Sequence, residues 1–180
     1  MKKCHWLLTI ALVLLVVSPA AAQQASIGVY FNAAGTQTTG VFNGGYDVMH
    51  DAYLIAFVET FVGGAACKLV LDPRIILLSA TYPAGIQIGD LLTGIEIAAT
   101  DPIMGYFGQP VRLATLKLFT GANLLANGTL SVQPFTPNYA DVMVADVGGN
   151  LLTATGLTSW LTIPVATETN SWSHVKDLYR

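Results

Sequence analysis

The sequence predicts an all-β fold of two packed sheets, and three observations predict it. Short apolar runs alternate with period two and are separated at intervals by Gly, Pro and Asn. The stretch Ala65–Pro83, AACKLVLDPRIILLSATYP, reads as strand, corner, strand. Helical spacing wins only at the C-terminal end, in Thr167–Arg180. About eight to ten short strands with turns between them and almost no helix suggest a two-sheet sandwich, immunoglobulin-like in the broad sense.

The central stretch carries the pattern most clearly. Cys67, Leu69 and Leu71 alternate with Ala66, Lys68 and Val70, as a half-buried strand requires. Asp72-Pro73 then breaks it, because proline fixes φ, donates no hydrogen bond and restricts the residue before it. Ile75–Ala80 resumes as an apolar run rich in strand formers.

Residues 1–22 read as a signal peptide. Lys2 and Lys3 form a positive start, Trp6–Val17 is an almost unbroken apolar run, and Pro19 ends it. Small residues, Ala20 and Ala22 among them, suit cleavage before Gln23. The apolar run is shorter than the ~20 residues of a spanning helix, so no membrane insertion is expected after cleavage. Cys4 precedes the apolar run rather than following it, which does not suit lipid anchoring.

Residues 23–164 are then expected to form one sandwich domain, and residues 165–180 a linker and short amphipathic tail. Without Lys2 and Lys3, six Lys and Arg face eleven Asp and Glu, a net charge of −5. No basic cluster exists to meet a phosphate backbone or an anionic membrane, so nucleic acid is not an expected partner. Cys67 is the one cysteine left after cleavage, so no internal disulfide forms. It lies mid-strand and reads as a small buried hydrophobe, against the alternative of a reactive thiol activated by His50 or His174.

Taken in order, Ser26–Phe31 is a strand with Ile27, Val29 and Phe31 on one face. Asn32–Asn43 has no periodicity and reads as a loop or weak edge. Val48–Thr60 holds AYLIAFVET, apolar on both faces like a central strand, and Gly63-Gly64 is read as its end. Ile86–Leu92 reads as an edge strand with a turn at Gly89-Asp90, and GIEIA, 94–98, as another strand. Thr100–Pro110 reads as a long loop, with a candidate short strand at Met104–Phe107. Val111–Phe119 is the clearest late strand, and Thr129–Gln133 follows. Tyr139–Val147 and Leu151–Ala154 form a hairpin across Gly148-Gly149-Asn150.

An apolar strand ending in Asp72-Pro73, a second apolar strand after it, and Val111–Phe119 in the place of a later alternating strand together resemble one family. They look like cohesin-type β-sandwich domains and their carbohydrate-binding-module relatives, over roughly Ile27 to Leu152. The resemblance implies a non-catalytic module. Its motif residues are structural, and no fingerprint for dockerin recognition accompanies them.

The templates of catalysis fail at stated points. Asp47, His50 and Asp51 form the one cluster of metal-binding residue types, but on a strand His50 points away from both carboxylates. No acidic calcium loop, Gly-x-Ser-x-Gly elbow or phosphate-cradling glycine loop occurs. No metal and no cofactor is expected, and no catalytic residue. Asn127-Gly128-Thr129 matches a glycosylation sequon, which the bacterial style of the signal peptide argues against.

Binding remains, with a protein or a polysaccharide outside the cytoplasm as partner. The leading expectation is an exported scaffold module, secreted, periplasmic or at the cell surface, acting through protein–protein contact. A carbohydrate-binding module is the alternative, and it requires two or three coplanar exposed aromatics on one sheet face. Tyr106, Phe107, Tyr82 and Trp160 are its candidates, with Tyr30, Tyr46 and Tyr139 in the wider set. A hydrolase is the third expectation and requires a close carboxylate pair in a cleft. In the tail, Trp172, Val175 and Tyr179 share a helical face, with Leu178 beside them. A helix this short must dock, either on its own sandwich or on a sorting system that reads it as a tag.

Overall fold

A computed structural model describes residues 25–41, 48–103, 109–120 and 127–162. Its elements are all strands: β1 Ser26–Tyr30, β2 Thr39–Val41, β3 Val48–Phe57, β4 Val62–Leu71, β5 Ile75–Thr81 and β6 Gly85–Asp90 come first. β7 Gly94–Ile103, β8 Pro110–Thr120, β9 Gly128–Gln133, β10 Val142–Asp146, β11 Leu151–Gly156 and β12 Thr158–Thr162 complete them. No helix occurs among the described residues, and the expected signal peptide, 1–22, and the expected tail, 165–180, lie outside them.

The strands stack as a sandwich. One layer runs β5-β8-β3-β1, all antiparallel. In the other, β4 is the central strand and changes neighbours midway. Its first half, Val62–Ala66, pairs with β10, and its second half, Lys68–Leu71, pairs with β9. β7 lies along its other side and β6 closes that edge. β12 and β2 extend from β9. The layers are joined where β11 runs parallel to β1, with Ser26 opposite Thr155. The Ser159 hydroxyl on β12 also donates to the Val29 carbonyl on β1.

Period two explains the core. β8 sends Leu116, Leu118 and Thr120 inward and Thr115, Lys117 and Phe119 outward. A bulge at Leu113-Ala114 turns both of these inward, so Val111 and Leu113 keep the same burial beyond it. From the facing layer come Cys67, Leu69, Ile95, Ile97, Leu130, Val144 and Leu161. Each fully buried Leu or Ile is worth roughly 1.5–3 kcal/mol relative to exposure.

The structure corrects several expectations. Gly63-Gly64 does not end β3, which stops at Phe57; both glycines lie inside β4. A Cβ on Gly63 would lie 2.8 Å from the Asp146 carbonyl, and one on Gly64 2.5 Å from that of Ile97. These glycines permit close backbone approach rather than a turn. The β6–β7 turn falls at Leu91–Thr93 rather than Gly89-Asp90. The Asp90 carboxylate caps it, accepting from the Leu92 and Thr93 amides at 2.9 Å each. β7 runs to Ile103, through the first residues of the expected loop; Met104–Phe107 lies outside the described residues. β12 is a strand where the sequence reading had none.

Candidate functional site

The outer face of β6-β7-β4-β10 is built in register. One row reads Ile88, Glu96, Ala66, Met143 across four strands, and the next reads Ile86, Ala98, Gly64, Ala145. Leu151 on β11 stands opposite Ala145 and extends the second row. The middle of the second row is small, that of the first holds Ala66 beside Glu96, and the margins are large. Ile86 and Ile88 are 67% and 60% exposed on one side, and Leu151 is 55% exposed on the other. The result is a shallow apolar trough, with a cavity of about 150 Å³ at its centre.

Local chemistry explains its shape. β6 pairs only with β7 among the described residues, and every one of its residues is exposed. The segment after β9 folds back over the trough's end, where Tyr139 lines the hollow. The Asn138 side-chain amide donates to Glu96 Oε1 at 3.1 Å. Gly94 is left-handed at φ +131° and leaves room for the Phe135 ring, which a Cβ would overlap. From β6 to β10 three strand spacings span ~14 Å, close to the ~10–12 Å diameter of a helix with its side chains.

The sequence candidates fare unevenly. Trp160 is 46% exposed on the outer face of β12, between Thr39 and Thr129 on its two neighbours. Tyr82 follows β5 in the other layer and is half-buried against the core, and burial raises its phenol. The two lie on different layers and share no face. Tyr30 is buried, edge-to-face with Phe57 at 5.6 Å. Tyr106, Phe107, Trp172, Val175, Leu178, Tyr179, Ala20 and Ala22 lie outside the described residues. Tyr46 lies outside them as well, and among the described members of the wider aromatic set Tyr139 is the one that lines the trough.

The titratable groups hold structural posts. Burial pushes the Cys67 thiol up to about 12, which suits the reading of an inert core residue. Asp51 on β3 pairs with Lys117 on β8 at 2.7 Å. His50, its neighbour, faces the other way, and burial lowers its imidazole against the pull of Asp51. Asp47 lies outside the described residues. Among the described residues, no three His, Cys, Asp or Glu are grouped to hold a metal ion. Asp72, Asp90 and Asp146 each bind backbone amides of a turn.

The trough residues Ile86, Ile88, Glu96, Ala98 and Met143 were not legible as a site. One signal was available: Glu96 is the single charge inside the apolar strand GIEIA.

No family model matches the sequence, and no curated protein matches it. Solved structures do match. A non-cellulosomal cohesin from the hyperthermophilic archaeon Archaeoglobus fulgidus is 12% identical, with a TM-score of 0.52, covering 85% of this chain and 97% of its own. The sixth cohesin of Acetivibrio cellulolyticus scaffoldin B, in complex with a Cel5 dockerin mutant, is 9% identical with a TM-score of 0.51 over 78% and 99%. A type III cohesin from the cell-surface anchoring scaffoldin ScaE of Ruminococcus flavefaciens is 10% identical with a TM-score of 0.51 over 82% and 92%. The chain therefore has a cohesin-like β-sandwich fold.

Proposed function

We propose that this domain is an exported, non-catalytic docking module that binds a protein partner through the outer face of β6-β7-β4-β10. The observation that carries the reading is the apolar trough itself. Ile86, Ile88 and Leu151 stand exposed around a floor of Ala66, Ala98 and Ala145. Exposed apolar surface of this kind is retained where a partner covers it. Its width admits one helix lying along the strands between the two margins, a recurring mode of recognition. The Acetivibrio cellulolyticus structure, a cohesin bound to a dockerin, supports a dockerin-type partner. The signal segment 1–22 supports action outside the cytoplasm.

Carbohydrate binding has one observation in its favour, the exposed Trp160 flanked by Thr39 and Thr129. One ring is fewer than the two or three coplanar rings that reading requires among the described residues.

The test begins with a partner isolated from the producing cells and repurified, with binding reconstituted from the two pure components. An Ile88→Asp, Leu151→Asp variant is expected to lose binding at least about 100-fold, in line with loss of two interface anchors. A Met49→Asp, Ile76→Asp variant on the outer face of β3 and β5 should bind normally. Full binding by the trough variant, or equal loss in both, refutes the assignment. Loss of binding to a polysaccharide on Trp160→Ala, with the trough variant unaffected, would favour the carbohydrate reading.

A further inference from the structure

We propose that Glu96 selects the partner's charge: the docked surface must present a Lys or Arg at the centre of the trough. The inference rests on the docking reading above and adds what that face asks of its ligand. Glu96 projects outward from β7, between Ile88 on β6 and Ala66 on β4. It is the one charged side chain lining the hollow. It is half-buried, and Asn138 holds one carboxylate oxygen at 3.1 Å. Among the described residues it forms no ion pair. The nearest outward cation along β4 is Lys68, two positions beyond Ala66. Lys68 faces Gln133 in the ladder rather than Glu96. The acids at the strand ends, Asp90 and Asp146, are engaged in their own turns.

In the free domain, water solvates the open side of the Glu96 carboxylate. A partner that fills the trough removes that water. An apolar residue placed opposite would leave a charge desolvated and unpaired, and an acidic one would add repulsion. A cation restores the lost interaction and finds a carboxylate already oriented by Asn138. Apolar contacts from the margins supply area, and this single charge supplies discrimination between otherwise similar amphipathic helices.

The experiment uses the mature chain, its Glu96→Gln and Glu96→Lys variants, and a phage-displayed library of amphipathic helical peptides. The library is randomised at one central position of the apolar face. Selection is counter-screened against Ile88→Asp, so that retained peptides use the trough. Matching melting curves establish that the variants are folded. Lys and Arg should be enriched about 10-fold or more at that position against the wild type, should lose the enrichment against Glu96→Gln, and should give way to Asp and Glu against Glu96→Lys. Peptides that depend on Ile88 yet show no charge preference overturn the assignment to Glu96 and leave the docking face standing. Failure to recover any Ile88-dependent peptide overturns both.

Discussion

Replacing Asp72 tests whether the corner between β4 and β5 is held as the geometry indicates. The Asp72 carboxylate accepts from the Arg74 backbone amide at 3.0 Å and from its Nε and Nη2 at 2.7 and 2.6 Å. The Asp72 side chain is 14% exposed, and Arg74 also reaches the carbonyl of Asn127, just before β9. These bonds hold the Asp72 carboxyl down at about 2, with the Arg74 side-chain hydrogen bonds as the largest cause. Against an unfolded value near 3.9, a shift of that size corresponds to at most ~2.5 kcal/mol. Solvent screening at the open side of the pair reduces it to about 1 kcal/mol. Because the folded carboxyl is the stronger acid, the contribution is complete above about pH 4 and is lost as pH falls towards 2. Asp72→Ala should therefore lower the melting temperature at pH 7 by about 3 °C. Asp72→Asn should lose less, since its side-chain oxygen still accepts from the Arg74 amide. The side-chain hydrogen bonds of Thr93 and Asn150, and after them the turn amides, lower Asp90 and Asp146, which titrate in the same direction. The informative quantity is thus the difference between wild type and variant across pH, measured by thermal unfolding from pH 2 to 7. A difference that stays constant or grows as pH falls refutes the assignment.

Cys67 should be inert to alkylating reagents in the native domain. With its pKa at about 12, the thiolate is roughly one part in ten thousand at pH 8, so labelling should appear only with unfolding and follow the denaturant midpoint; fast labelling without denaturant would contradict the burial. Ala98→Val should keep or slightly raise the melting temperature, by less than about 1 kcal/mol in stability, while weakening partner binding at least about 10-fold. Unchanged binding to the purified partner would show that the floor of the trough is not contacted.

The layers were legible in the sequence because alternation is a property of the strand itself. Val111–Phe119 and the Asp72-Pro73 corner show this, and so does the hairpin at Gly148-Gly149-Asn150, where Asp146 accepts from the Gly148 and Asn150 amides. β12 escaped because Thr158–Thr162 offers only two inward positions, the polar Ser159 and a single Leu161, against threonines and one tryptophan. Gly63-Gly64 misled because glycine serves both turns and close approaches, and only the neighbouring Ile97 and Asp146 carbonyls decide which. The trough was illegible for a deeper reason. Period two assigns Ile86 and Ile88 to one face but cannot say whether that face meets the core, since the choice depends on partners distant in sequence. In a chain with 53% hydrophobic and 11% charged residues, an apolar outward face looks like an inward one.

Folding alone does not account for the floor of the trough. Alanine and glycine are poor strand residues, and an outward position on a sheet ordinarily favours threonine or a β-branched residue. The same layer shows that alternative elsewhere: around Trp160 the outward positions are Thr39, Val41, Thr129, Ser131, Thr158 and Thr162. Gly64 has a backbone reason for its size, the Ile97 carbonyl beneath it. Ala66 and Ala98 occupy regular ladder positions, and Ala145 pairs with Gly64 at the edge of a bulge. Flanked by Ile86 and Ile88 on one margin and Met143 and Leu151 on the other, they lower the centre of the face without lowering its edges. Small residues at the centre with large ones at the margins weaken the strands slightly and make a concavity. A concavity that stays apolar in water, with one oriented carboxylate at its centre, is what a docked partner requires and what the isolated sandwich does not.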